Sequence, residues 1–215
     1  MTRSSLLLIG GVLVVSAVSL SAVRSPEADP PAAVSRFHLD ETGPKGVFIP
    51  NLGQAPTGAF FYLKREQATV LLKATTIVFD LPGDDNEQSP SSLYFISASK
   101  SPRVVGLESV PGMTGFRAVK YRGLYGGVDL TLATDTDRLS GRFTLSTGAD
   151  PNLILFRTLG DDESRVGAPD AYQVKDGVRI PVIARFERAR YGSIQLELGQ
   201  YDVNVPVEVD FAIRL

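Results

Sequence analysis

Apolar and polar residues alternate along much of the later half of the chain. In the stretch VDLTLA (128–133), apolar Val and Leu residues alternate with Asp129 and Thr131. The same period of two recurs in 139–145, 194–198 and 205–211. Because successive side chains of a strand point to opposite faces, this pattern predicts antiparallel strands with one face on a core and one in water.

The earlier half carries shorter runs rich in β-branched and aromatic residues, which are typical of strands. These runs lie at 60–64, 68–74, 75–81, 93–97 and 103–108. No stretch repeats its apolar residues with the 3.6-residue period of a helix that packs on a core. Roughly ten to twelve short strands in one domain predict an all-β fold, and we expect an antiparallel two-sheet sandwich.

The pair Asp176-Gly177 favours a type I′ turn, which joins two antiparallel strands. It predicts that a strand ending near Val174 pairs with a strand over 178–186. Pro181 lacks an N–H donor, so it predicts either a sheet edge or a bulge in that second strand. The apolar residues expected on one face of the second strand are Val178, Ile180, Val182, Ala184 and Phe186.

The stretch GLYGG (123–127) has the glycine content of a phosphate-binding loop or of a tight turn. A phosphate loop needs a helix N-terminus after its glycines, because the amides there point at the anion. An alternating strand follows instead, so the glycines predict a turn with positive φ angles.

The N-terminus has the pattern of a targeting segment. Arg3 precedes a long apolar run, and small residues at Ser21 and Ala22 suit cleavage, which predicts a signal peptide over 1–22. An uncleaved membrane anchor is the alternative. Residues 23–42 are rich in proline, alanine and charge and predict a flexible linker, and 43–215 form the expected β-domain. These features predict a secreted, periplasmic or cell-surface protein with no membrane span once the signal is cleaved.

Composition excludes several kinds of chemistry. The chain has no cysteine, so disulfides, thiolate catalysis and cysteine metal sites are excluded. Its one histidine, His38, falls in the predicted linker, and the chain lacks the G-x-S-x-G motif, which argues against a serine triad. A net charge of −2 offers no basic field for nucleic acid.

Acidic residues offer weaker candidates for chemistry. The segments 84–87 and 135–137 supply carboxylate oxygens for calcium but follow no known calcium-loop pattern, so solvated turns are the alternative. Asp161 and Asp162 are adjacent, and in a strand they point to opposite faces, so alone they do not form the facing pair of a glycosidase. No cofactor is expected.

Aromatic and basic side chains are candidates for glycan binding. An aromatic sheet face stacks on sugars, although core packing is the commoner role of such residues. Arg188 and Arg190 are candidates for contact with anionic polymers, or for a solvated strand end. The aromatic candidates are Phe60, Phe61, Tyr62, Tyr94, Phe95, Tyr121 and Tyr125.

Five segments, in order, resemble motifs of the DUF7948 family, an N-terminal β-domain usually found before SBBP β-propeller repeats in exported bacterial proteins. FIPNLGQ (48–54) resembles its opening F-x-x-N-x-G-Q, and VKYRGLYGGVDLTL (119–132) its V-x-Y-x-x-x-Y-P-G-I-D-L segment. Leu52 and Gly126 replace the usual arginine and proline. The remaining segments are TGADPNLILFRTLG (147–160), YQVKDGVRIPV (172–182) and LELGQYDVNVPVEVD (196–210).

The resemblance implies an exported β-domain of unknown activity, with no catalytic residues to transfer. The family's propeller repeats would begin after Leu215, so it implies the leading domain by itself. We expect a non-enzymatic surface-assembly or protein-interaction module whose partner is another cell-envelope protein or a polysaccharide. A carbohydrate-binding module and a carboxylate-dependent glycan-active enzyme are the alternatives. The candidate structural or binding residues are Asn51, Gly53, Gln54, Tyr125, Asp129, Tyr201 and Asp202.

Overall fold

The computed structural model describes residues 46–65, 68–80, 90–134, 139–160 and 165–215. The predicted signal peptide and linker lie outside these residues. The described residues form fifteen strands and two short 3-10 turns, at Pro151–Leu153 and Arg190–Gly192. The strands are β1 Phe48–Pro50, β2 Ala59–Arg65, β3 Ala68–Lys73, β4 Thr76–Asp80, β5 Ser91–Phe95, β6 Arg103–Ser109, β7 Phe116–Tyr125, β8 Val128–Thr134, β9 Leu139–Leu145, β10 Leu155–Leu159, β11 Asp170–Lys175, β12 Val178–Val182, β13 Ala184–Arg188, β14 Ile194–Leu198 and β15 Val207–Ile213.

The prediction of an all-β fold is confirmed, but the prediction of a two-sheet sandwich is wrong. The strands of the described residues belong to one antiparallel sheet in the order β12, β11, β15, β9, β8, β7, β1, β2, β3, β4, β5, β10, β14, β13, with β6 beside β7. The two halves of this sheet are continuous because β1 pairs with β7 at Phe48 and Phe116. The chain passes from β12 to β13 through Ile183 alone, so the two ends of the order lie close and the sheet nearly closes on itself.

One main core fills the inside of the curled sheet. Side chains from strands far apart in the sheet order meet there, and the Phe143 ring in β9 stacks on Phe211 and meets Phe95 of β5 edge to face. The apolar positions of β8 and β9 are fully buried, as the period-two pattern predicts. Burying both halves of the sheet against each other provides most of the hydrophobic stabilisation of the fold.

The Asp-Gly turn prediction is confirmed, and the turn predicted over 123–127 is confirmed in part, because β7 extends to Tyr125 and only Gly126 and Gly127 form the turn. Asp176 and Gly177 have φ angles of 52° and 77°, and Lys175 pairs with Val178 across them, as a type I′ hairpin requires. Gly126 and Gly127 connect β7 to β8, and Gly127 has a φ of 73°. Strand β12 ends the sheet order, so Pro181 lies on an edge strand.

The predicted single strand over 178–186 is wrong. It is two strands, β12 and β13, separated at Ile183 where the chain passes between the sheet ends. The predicted shared apolar face holds only in part, because Val182 is buried whereas Val178 and Ile180 are exposed. Ile180 pairs with buried Gln173, so it is on the inner face, but the hairpin extends past the end of the core.

Candidate functional site

The NLGQ loop (51–54) is held by its own side chains. The Asn51 amide donates to the carbonyls of Ala55, Pro56 and Ala59 and accepts from the amides of Gly53 and Ala55, all at 3.0–3.3 Å. Gln54 accepts from the Leu52 amide at 2.6 Å and donates to the Pro50 carbonyl at 3.0 Å. Gly53 has a φ of 114°, which favours glycine. The side chains of Asn51 and Gln54 therefore form their hydrogen bonds within the loop and its flanking residues.

Tyr125 lies at the end of β7 and points into the core. Its hydroxyl donates to the Leu155 carbonyl at 2.7 Å. Burial raises the pKa of Tyr125 far above its usual value, although the hydrogen bond to Leu155 acts in the opposite direction and nearby Tyr94 adds to the rise. The phenol of Tyr125 therefore stays neutral in the folded protein. Its hydrogen bond to Leu155 gives it a structural role in the core.

Asp129 lies near the start of β8 on the outer face. Its carboxylate accepts from the Gly123 amide at 2.8 Å and pairs with the Lys120 ammonium at 3.0 Å. Partial burial raises the pKa of Asp129, but the Gly123 amide, Lys120 and the charge of Arg122 together lower it below its usual value. Asp129 fixes the irregular end of β7, where Gly123 has a positive φ.

Tyr201 and Asp202 lie in the loop before β15. Tyr201 packs against the main core, and Asp202 accepts from the Asn204 amide at 3.0 Å. That hydrogen bond lowers the pKa of Asp202, and the side chain of Asn204 and the charge of Lys175 act in the same direction. Buried Gln173 accepts from the Asp202 amide at 2.9 Å and donates to the Asp202 carbonyl at 2.7 Å.

The structure places the NLGQ loop at the opposite end of β7 from Tyr125. Asn51 follows β1, which meets β7 at Phe116, whereas Tyr125 ends β7. Ten residues of extended strand separate those ends, which is roughly 30 Å. The NLGQ residues and Tyr125 therefore do not share a site, and Asn51 stabilises its loop whereas Tyr125 bonds across the core.

The acidic candidates at 84–87, 135–137 and 161–164, and His38, lie outside the described residues. Within the described ranges, no three histidine, cysteine, aspartate or glutamate side chains come close enough to hold a metal ion. In the same ranges, no helix has the length and apolarity needed to cross a membrane.

The predicted aromatic platform is not presented to solvent. Phe61, Tyr62, Phe95, Tyr121 and Tyr125 are buried, and Tyr94 is half-buried. Of the seven candidates, Phe60 alone is exposed. Arg188 and Arg190 are exposed at the end of the β13–β14 hairpin. A single phenylalanine does not make a stacking surface for a sugar chain.

The tip of the β11–β12 hairpin, defined by Val174, Val178 and Ile180, exposes apolar side chains. Their exposed fractions are 53%, 62% and 43%. Val178 and Ile180 lie on the inner face of the sheet, whereas Val174 pairs with Arg179 on the other face. The sequence shows apolar residues on both sides of the Asp176-Gly177 pair. The alternation of apolar and polar residues does not reveal that the core ends before them, so it does not predict their exposure.

A groove of about 740 Å³ crosses the outer face of the sheet from β6 to β11. Two cross-strand rows form its floor. The first is Leu107, Ala118, Ala133, Ser140 and Ala212, and the second is Lys120, Thr131, Arg142, Asp210 and Asp170. This surface has no signal in the sequence, because it depends on the order in which strands far apart in the chain lie side by side.

Most charged residues of the groove are in ion pairs, either with each other or with a residue beside the groove. Arg142 donates to both carboxylate oxygens of Asp210 and lies 3.7 Å from Glu208. The hydrogen bond to Asp210 raises the pKa of Arg142, and partial burial opposes that rise. Asp170 pairs with Arg179 at 2.6 Å.

Comparisons with known proteins gave no match. This holds for the family models, for the curated proteins and for the solved structures.

Proposed function

We propose that this chain is an exported, non-enzymatic β-domain that acts as a protein-interaction module in the cell envelope. The observation that carries the proposal is the hairpin tip, where Val174, Val178 and Ile180 expose apolar surface on an edge hairpin. Clustered apolar side chains at a protruding edge are typical of surfaces that another protein covers. The signal-like N-terminus and the resemblance to the DUF7948 family support export.

The hairpin tip binds through side chains rather than by adding a strand. Pro181 has no N–H to give to a further strand, and proline on an edge strand discourages edge-to-edge pairing. The apolar side chains project on both faces of the hairpin beyond the core. A partner with an apolar cleft that receives the tip on both faces fits this shape.

Photo-crosslinking in the native host tests the proposal. A photoreactive phenylalanine analogue is placed at Val178 in the full chain, and the matched control carries it at Leu52, an 84% exposed apolar residue in the NLGQ loop. We expect a discrete protein adduct from position 178 and none from position 52. Equal adducts at both positions, or none at 178, would contradict the proposal.

A second measurement separates the protein-binding role from a carbohydrate-binding one. The thermal midpoint of the purified full chain is recorded with a panel of neutral and acidic polysaccharides. A ligand that binds only the folded state raises that midpoint with concentration. We expect no shift, and a shift with one glycan class would overturn the proposal in favour of a carbohydrate-binding module.

A further inference from the structure

Glu108 breaks the pleat of β6. Neighbouring residues of a strand normally point to opposite faces, yet Leu107 and Glu108 both line the groove. Glu108 has a φ of 56°, and it forms no ladder pair, although the register is unbroken from Leu107–Ala118 to Ser109–Phe116. A left-handed φ at a non-glycine residue is strained and is retained where the surrounding structure imposes it. Here it turns an acidic side chain toward the groove.

Glu108 also differs from the other carboxylates of the groove in its ion pairing. Asp210 and Glu208 share Arg142, and Asp170 pairs with Arg179. Glu108 is exposed and makes no ion pair with any residue that the structure describes. The groove lining has four acids and two bases, Lys120 and Arg142, and both bases already have acidic partners. The surplus negative charge favours a cationic ligand.

The dimensions of the groove suit an extended chain. Its second row crosses five strands from β7 to β11, and adding β6 gives a span of roughly 24 Å at about 4.8 Å per strand spacing. An extended peptide of about seven residues covers that length. The small side chains of Ala118, Ala133 and Ala212 let a backbone approach the floor, and the Thr131 and Ser140 hydroxyls can bond peptide groups.

We propose that this groove binds an extended polypeptide segment bearing lysine or arginine, with the Glu108 carboxylate as the anchor for one cationic side chain. The groove is separate from the hairpin tip and does not depend on it. A charge-assisted hydrogen bond to a carboxylate is stronger than a neutral one, so Glu108 contributes both affinity and position.

The test uses the full chain and a capped heptapeptide of alternating lysine and threonine, with titration by calorimetry at low salt. A heptapeptide with glutamate in place of lysine and the polyamine spermidine are the ligand controls. We expect the lysine peptide to bind, and Glu108→Gln to weaken it roughly tenfold. No binding by the unmodified chain, or binding unchanged in Glu108→Gln, would overturn the proposal. Spermidine binding as tightly as the peptide would overturn the polypeptide assignment.

Two glycine variants separate loss of binding from loss of folding. Glu108→Gly removes both the carboxylate and the steric strain of the positive φ, so the thermal midpoint should not fall while peptide binding is lost. Asp176→Gly is the matched control, an exposed acid with a φ of 52° in the β11–β12 turn. It should bind the peptide normally. A double variant, Val178→Ser with Ile180→Thr, should also bind normally, so failure of the groove is distinguishable from failure of the hairpin tip.

Discussion

The hydroxyl of Tyr125 donates to the carbonyl of Leu155 across the core, at 2.7 Å. Tyr125 ends β7 and Leu155 begins β10, and these strands lie six places apart in the sheet order. The hydrogen bond therefore links two parts of the curled sheet directly across the core. Along the sheet order, strands β1 to β5 lie between them. The hydrogen bond gives Tyr125 a structural role in the fold.

Tyr125→Phe should lower the free energy of unfolding by about 1 kcal/mol. The loss stays modest because the Leu155 carbonyl also accepts from the Ile96 amide at 2.8 Å and is not left without a donor. Urea unfolding followed by circular dichroism measures the change. Tyr191→Phe, at a residue 79% exposed, is the control and should shift stability by less than about 0.5 kcal/mol. Equal effects from the two variants would contradict the assigned role.

Alkaline pH should destabilise the fold steeply. Burial raises the pKa of Tyr121 and of Tyr125 far above the usual value, so both keep their protons in the folded state. The unfolded chain loses these protons near pH 10, and stability then falls by about 1.4 kcal/mol per pH unit for each tyrosine. Stability below pH 9 is unaffected by them. The free energy of unfolding, measured at pH 9, 10 and 11, should fall with this slope. In Tyr125→Phe the slope should be smaller by the contribution of one tyrosine.

Tyrosinate absorbance gives an independent check. The chain has seven tyrosines, and in the folded protein the signal should correspond to no more than five until unfolding exposes the other two. A full seven-tyrosine signal from folded protein at pH 11 would show that Tyr121 and Tyr125 are accessible to ionisation.

Local features of the fold follow from the sequence. Period-two alternation located the β8 and β9 strands, and Asp176-Gly177 located the β11–β12 turn, because both depend on neighbouring residues. The Phe48–Phe116 pair is different, since it joins residues far apart in the chain. A two-sheet sandwich and a single curled sheet bury the same alternate positions, so alternation does not distinguish them.

The same limit applies to the candidate sites. The NLGQ spacing is visible in the sequence, but only the structure shows that Asn51 bonds its own loop. Alternation assigned Ile180 to the inner face without showing where the core ends. The left-handed φ of Glu108 has no local sequence signal, because glycine, asparagine and aspartate are the residues expected there.

Asn51→Ala should destabilise the fold by about 1–2 kcal/mol. The substitution removes hydrogen bonds to three carbonyls and two amides of one loop, and water replaces part of them because the loop is half-exposed. Chemical denaturation measures the loss, and Asn204→Ala, which removes one side-chain contact to Asp202, should cost less than half as much. Faster hydrogen exchange at the Gly53 and Ala55 amides should accompany it. Unchanged exchange there would argue that Asn51 does not hold the loop.

Gly141→Ala should destabilise the fold by about 1–3 kcal/mol, because it overfills the core. A Cβ at this position of β9 would come within 2.2 Å of the Phe211 ring, which stacks on Phe143 and is fixed by it. Gly167→Ala is the matched control, since its Cβ would meet Ala212 at an ordinary 3.5 Å. Thermal and urea unfolding should separate the two variants clearly. Adding Phe211→Leu to Gly141→Ala should cost less than the sum of the single changes, because the smaller side chain leaves room for the new methyl group; strict additivity would show that the ring is not what the methyl group meets.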